Sequence, residues 1–195
     1  MKNPFTVRNM PYIAILLAIE IVLQFIGNTI AFGPVSINLS LIPITLGAIL
    51  FGPWVGLLLG FMNSVFVLLA PSTAVFYNVT IAGTIATCII KSSAAGFIGG
   101  LVYMLLNRKN NLVATIVTSI LVPVINTGLF AVACITLFKP FLEQYNTGFT
   151  NIYEFLFIGV IGWNFIFEVS VSAVLIYPIY RIILFYQSRR QVVSN

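Results

Sequence analysis

Three charged side chains fall inside long apolar stretches of this chain: Glu20, Lys91 and Glu168. A charge at membrane depth costs a few kcal/mol on insertion scales, so each is expected to serve a ligand, a proton path or another charge. Amides and an indole accompany them, as Asn63, as Asn126 beside Thr127, and as Trp163 beside Asn164. An amide both donates and accepts, which suits a polar ligand that is not purely anionic. Lys91 suits an anionic group, and Trp163 offers an aromatic wall. The plainer alternative is a structural ion pair of Lys91 with Glu168 or Glu20, and for Asn63 a hydrogen bond between helices. Residue types alone leave both open. Other chemistries lack their parts. The chain has no histidine and four acidic residues, so a Ser-His-Asp site has no base and a histidine-bound metal no ligand. Cys88 and Cys134 form no C-x-x-C pair. No G-x-x-x-x-G-K-[ST] loop occurs, so any use of ATP falls to a partner. No catalytic residue, cofactor or metal is expected.

These residues stand in a chain of 195, of which 60% are apolar and 7% charged. A soluble domain carries about a quarter charged residues. With a mean hydropathy of +1.09, the chain reads as an all-α integral membrane protein. Breaks at Gly33-Pro34, Gly52-Pro53, Pro71-Ser72, Asn107 to Asn111 and Lys139-Pro140 through Asn151 divide it. They leave six stretches, at roughly 10–33, 38–52, 53–70, 77–106, 112–138 and 153–186, with the second short for a bilayer. Unbroken apolar runs replace the alternation that barrel strands need. Lys2 and Arg8, then Arg108 and Lys109, then Arg181, Arg189 and Arg190 all fall on one side of six spans. The positive-inside rule makes that side cytoplasmic, with both termini inside. The net charge of +5 is thus a topology signal, and no nucleic-acid partner is expected. The first span, with Glu20 and Gln24, does not read as a cleaved signal, and the whole of 1–195 reads as a single membrane domain.

Counted from the outer helix ends at 1.5 Å per residue, Glu20, Lys91 and Glu168 all lie roughly 20 Å deep. The amides fall at similar or slightly shallower depth. That shared level points to a polar cavity open to the outside, apolar-walled with a few convergent polar groups. Residues 71–78, including Tyr77 and Asn78, and 139–152, with Phe141, Tyr145, Asn146, Gly148 and Phe149, are candidates to cover its mouth; plain connectors are the alternative. Asn38 and Asn78 match N-x-[ST], read as coincidence. Gly52, Gly56 and Gly60, and Gly96 with Gly100, form small-residue faces suited to close helix contact, within the chain or with another subunit. Ala14 and Ala18 form a weaker pair of the same kind.

Four segments in order carry a family resemblance: Leu41-Ile-Pro-Ile-Thr-Leu-Gly-Ala-Ile-Leu-Phe-Gly-Pro-Trp-Val-Gly, Lys91-Ser-Ser-Ala-Ala-Gly, Pro123-Val-Ile-Asn-Thr-Gly and Trp163-Asn-Phe-Ile-Phe-Glu168. With the size and topology, they make the chain resemble the substrate-binding S component of energy-coupling factor (ECF) vitamin transporters. The resemblance implies a six-helix, N-in/C-in S-component bundle in a bacterial cell membrane. It implies a subunit that binds a vitamin from outside and is no enzyme. It also implies an EcfT-like membrane scaffold and two cytoplasmic ATPases as partners, with Ala14 and Ala18 on the docking face, and a whole-subunit toppling that releases the cargo. The Pro-Val-Ile-Asn-Thr-Gly run resembles the branch that includes pantothenate transporters. Riboflavin or a pyridoxine- or pyrimidine-type vitamin stands behind pantothenate. A stand-alone secondary transporter is the rival from another class, weakened by the lack of an internal repeat.

Overall fold

The computed structural model describes residues 4–32, 35–146 and 148–192. Lys2 and the Gly33-Pro34 break lie outside the described residues. Helix α1 (Met10–Thr29) starts with a proline in its first turn, where the missing N–H has no partner to lose. It ends short of the expected break and gives way to an antiparallel pair of two-residue strands, β1 (Ala31–Phe32) and β2 (Val35–Ser36). Helices α2 (Leu41–Phe51) and α3 (Pro53–Leu68) meet at Gly52, whose φ of 95° lies in the left-handed region that favours glycine. A turn at Pro71–Thr73 and the short helix α4 (Ala74–Tyr77) follow, bent 77° from α3. Then come α5 (Ile81–Leu106) and α6 (Asn111–Thr136), of 26 residues each. Their starts are capped: Thr80 accepts from Gly83 N, and Asn110 accepts from Leu112 N and Val113 N. After α7 (Lys139–Tyr145) and α8 (Ile152–Glu154), a π-turn over Phe155–Gly162 runs into the last helix, α9 (Trp163–Val192).

Four of these stretches are long and apolar enough to cross a membrane: Met10–Thr29, Ile81–Leu106, Asn111–Thr136 and Ile152–Ser172. Counting the bent pair Pro53–Leu68 and Pro71–Tyr77 as one span gives a fifth. Helix α2 has 11 residues and at 1.5 Å each is about half the length of a hydrocarbon core. Large apolar side chains such as Ile15, Ile19, Val22, Phe25, Val65, Ile85 and Val132 point outwards, as lipid contact allows and water would not.

Helices α3 and α5 make the most intimate pair. A Cβ on Gly56 would strike the Gly96 carbonyl, one on Gly96 the Gly56 carbonyl, and one on Gly60 the Ser92 carbonyl. A Cβ on Gly100 would come within 2.5 Å of Pro53 Cα. The contacts step by one turn along each helix in opposite directions, so two small-residue faces zip together within the chain. These glycines are therefore consumed by internal packing, and the alternative of docking another subunit is closed for them.

The apolar interior falls into three groups. Phe76, Phe138, Phe141, Phe155 and Leu156 pack at the end that carries α4, α7 and α8. Ile13, Leu16, Ile44, Val55, Leu59 and Val122 fill the middle of the bundle. Ile49, Tyr103 and Ala114 lie near the α5–α6 connection. The candidate site opens beside the first group.

Candidate functional site

Polar side chains from six segments join in one hydrogen-bond network. Ser40, fully buried after the strand pair, touches the amides of Gln24, Asn38 and Asn63. A hydroxyl has one proton and two lone pairs, so Gln24 and Asn63 share that proton as acceptors, while Asn38, whose Nδ2 has no other partner among the described residues, can turn its NH2 towards Ser40. Asn63 Nδ2 donates to Ser92 Oγ at 3.2 Å, and Ser92 Oγ donates to Asn126 Oδ1 at 3.4 Å. Gln24 Nε2 donates to Asn28 Oδ1 at 3.0 Å. On the other flank the backbone N–H of Asn38 donates to Glu168 Oε1 at 2.9 Å, and Thr127 Oγ1 donates to Oε2 at 3.4 Å. Asn63 thus serves the network between helices, as the plainer expectation has it, and lines no cavity.

Two adjoining cavities lie against this network. The first, about 510 Å³ of empty space counting its open mouth, is bounded by Gln24, Ser72, Thr84 and Thr87 and by the aromatic rings of Phe76, Phe130 and Phe138. The second, of about 360 Å³, is bounded by Asn126, Thr127, Asn164 and Glu168, with Val160, Ile161 and Phe165 as its apolar wall. Ser36, Asn38, Lys91 and Phe130 border both. Lys91 therefore stands at the divide, its ammonium 4.8 Å from the centre of the Phe130 ring, within range of cation–π attraction. It forms no ion pair with Glu20 or Glu168; the ion pair among the described residues is the exposed Lys139–Glu143 at 3.8 Å. No direct pair forms, although the Lys91 charge still attracts Glu168 across the second cavity. The second cavity thus offers a cation, a carboxyl and three amides within one apolar-walled space.

Five of the expected residues border this space: Lys91, Asn126, Thr127, Asn164 and Glu168. Four do not. Glu20 is fully buried and lies on the α1 stripe of Ile13 and Leu16, which pack on α2 and α3. Its carboxyl oxygens have no hydrogen-bond partner among the described residues. Trp163 is 65% exposed on the outer face of α9; its neighbour Asn164 points about 100° away. Tyr77 ties α4 back to α3 by donating to the Leu68 carbonyl at 2.8 Å, and Asn78 is exposed. From the same covering segment Ser72, Thr73 and Phe76 reach the cavity, Phe76 packed on Phe130 and Phe141 with ring centres 5.7 and 4.6 Å apart. Ala14 and Ala18 are exposed on α1.

Residues beyond the expected set also contribute. Thr84 and Thr87 sit seven and four places before Lys91, on its own helix face, and Phe130 sits four places after Asn126. Helical spacing carries that signal. Ser36, Asn38 and Ser72 come from connecting segments, and no periodicity announces them; Ser36 and Ser72 bond to each other at 2.9 Å.

An apolar helical bundle with a partly polar internal cavity defines a membrane-embedded protein that binds a small polar molecule. The family described as "ECF transporter, substrate-specific component" matches residues 8–180. The chain belongs to that family: it is a multi-pass, vitamin-type substrate-binding subunit of an ECF transporter, and such components are transport subunits rather than enzymes. The family implies partnership with EcfT and ATPases. No curated protein and no solved structure matches the chain.

Proposed function

We propose that this chain is the pantothenate-binding component of an ECF importer, with the vitamin spread over the divide between the two cavities. The observation that carries the reading is Lys91, a cation bordering both cavities with no direct ion pair to a carboxylate among the described residues. Pantothenate has a carboxylate for that ammonium, an amide for Asn126 and Asn164, and hydroxyl donors for Glu168 and Thr127. Charge-assisted contacts of this kind are about twice as strong as neutral ones. Phe76, Phe130 and Phe138 favour a second reading. Three rings along the first cavity suit a flat heterocycle, so a pyridoxine- or riboflavin-type vitamin is the alternative.

In this reading the chain forms one membrane domain with α2 as a short second crossing. Both termini then lie on the cytoplasmic side of a bacterial membrane, with Arg8, Arg108, Lys109 and Arg181. Exposed Ala14 and Ala18 take the EcfT-like scaffold, and two ATPases supply the energy.

Mass spectrometry of the small molecule that co-purifies with the protein is expected to give pantothenate at one per chain. Liposomes holding the protein alone are expected to take up none until the scaffold and ATPases are added. Gradient-driven uptake by the isolated protein would sink the S-component mechanism, and a different co-purified vitamin would sink the choice of pantothenate. Trp163, facing outwards, provides a control. Trp163→Ala is expected to change the calorimetric affinity for pantothenate by less than about twofold, the range of a substitution away from packed or bonded groups.

A further inference from the structure

The π-turn at Phe155–Gly162 carries Val160 and Ile161 of the second cavity's wall and lies directly before Asn164, Phe165 and Glu168. Such wide turns are rare and occur mostly within α-helices at functional positions. Here a named residue permits one. A Cβ on Gly162 would come 2.6 Å from the Phe157 carbonyl oxygen. That oxygen belongs to the residue five places back, the partner spacing of a π-turn. A backbone oxygen cannot swing aside as a side chain can, so the close approach calls for glycine. Within the same segment Asn164 Nδ2 donates to the Val160 carbonyl at 3.1 Å, which ties the amide side chain to the turn.

The consequence lies downstream. Val160, Ile161, Asn164, Phe165 and Glu168 share the face that borders the cavity, while Trp163 and Ile166 are 65% and 57% exposed on the other. Each residue of an α-helix advances the chain by about 100°. If Phe155–Gly162 closed into ordinary α-turns, the same number of residues would wind further, and Glu168 would rotate off the cavity by about that step. It would then leave the N–H of Asn38 and the hydroxyl of Thr127. We propose that Gly162 is a positioning residue for the cavity: by admitting the wide turn, it sets the rotation of α9 that faces Asn164 and Glu168 inwards. The effect on affinity rests on the cavity being the vitamin site; the rotation itself does not.

The test compares full-length Gly162→Ala with Gly162→Ala from which Ile158 is also deleted. Ile158 is 51% exposed, and losing one residue converts a wide turn to an α-turn while keeping the flanking faces nearly in register. Two quantities are read: affinity for pantothenate, and the labelling rate of an added Asn164→Cys by a water-soluble maleimide, with protein lacking that cysteine as background. Gly162→Ala is expected to lower both by at least about tenfold, because site groups must be held within a fraction of an ångström. The deletion is expected to restore both. Unchanged labelling in Gly162→Ala overturns the proposal. Loss of both without rescue, accompanied by a lowered melting temperature, also overturns it, because glycine would then serve packing alone. Labelling that falls and recovers while affinity stays constant upholds the rotation and removes the second cavity as the vitamin site.

Discussion

Lys91→Ala is expected to weaken pantothenate binding by roughly 10- to 100-fold, the loss of a charge-assisted contact of about 1.5–3 kcal/mol. The melting temperature is expected to move little. Removing one partner of a buried ion pair normally costs about 3–5 kcal/mol, because the other charge is stranded. Lys91 makes no direct ion pair among the described residues; what the fold loses is the contact with the Phe130 ring, typically about 0.5–2 kcal/mol, and a longer-range attraction to Glu168 across the second cavity. Titration calorimetry on wild type and variant gives the first quantity and thermal unfolding in detergent the second. A third arm uses the alcohol analogue of pantothenate, which lacks the carboxylate. Wild type and Lys91→Ala are expected to bind that analogue alike. A variant that loses the analogue as strongly as the acid, or that unfolds in proportion to its lost affinity, would show that Lys91 supports the structure and not the ligand.

That Lys91, Asn126, Asn164 and Glu168 would border one cavity was legible in the sequence, and the directions of Glu20 and Trp163 were not. Counting from helix ends placed Glu20, Lys91 and Glu168 at one level, yet Glu20 belongs to the packed stripe of α1 and borders neither cavity. Level fixes position along the membrane normal, whereas a side chain enters a cavity only if its azimuth agrees, and each residue turns that by about 100°. The same geometry separates Trp163 from Asn164. It also explains which omissions were recoverable: Thr84, Thr87 and Phe130 share faces with residues already singled out. Asn38 was not recoverable in this way. It sits in an irregular segment beyond the strand pair, and its backbone N–H meets a carboxyl 130 positions later in the chain. No local pattern encodes such a contact. The first helix likewise stops at Thr29 because the chain turns into a strand pair, a tertiary choice that apolar composition does not reveal.

The glycine faces show the same division and lead to the second large effect. Spacing alone predicted that Gly52, Gly56 and Gly60, and Gly96 with Gly100, bring helices close, and left their partner open. The structure pairs Gly56 with Gly96 across α3 and α5 and sets Gly60 against Ser92 and Gly100 against Pro53, backbone against backbone, while Gly52 serves the turn between α2 and α3. Gly96→Leu is therefore expected to cost about 3 kcal/mol or more, at the upper end for overpacking, because a Gly56 carbonyl and not a flexible side chain fills the space. The damage would extend to the ligand. Ser92 and Lys91 ride on the same helix one turn away, and Ser92 links Asn63 to Asn126. Forcing α5 away from α3 would open that link and displace Lys91 from the divide. Gly128 makes the matched control, since a Cβ there meets nothing within 4 Å. Gly128→Ala is expected to fold and to melt near the wild-type temperature, while Gly96→Leu yields little monodisperse protein in size-exclusion chromatography. Equal yields and melting temperatures for the two variants would mean that α3 and α5 do not depend on the glycine contact for their spacing.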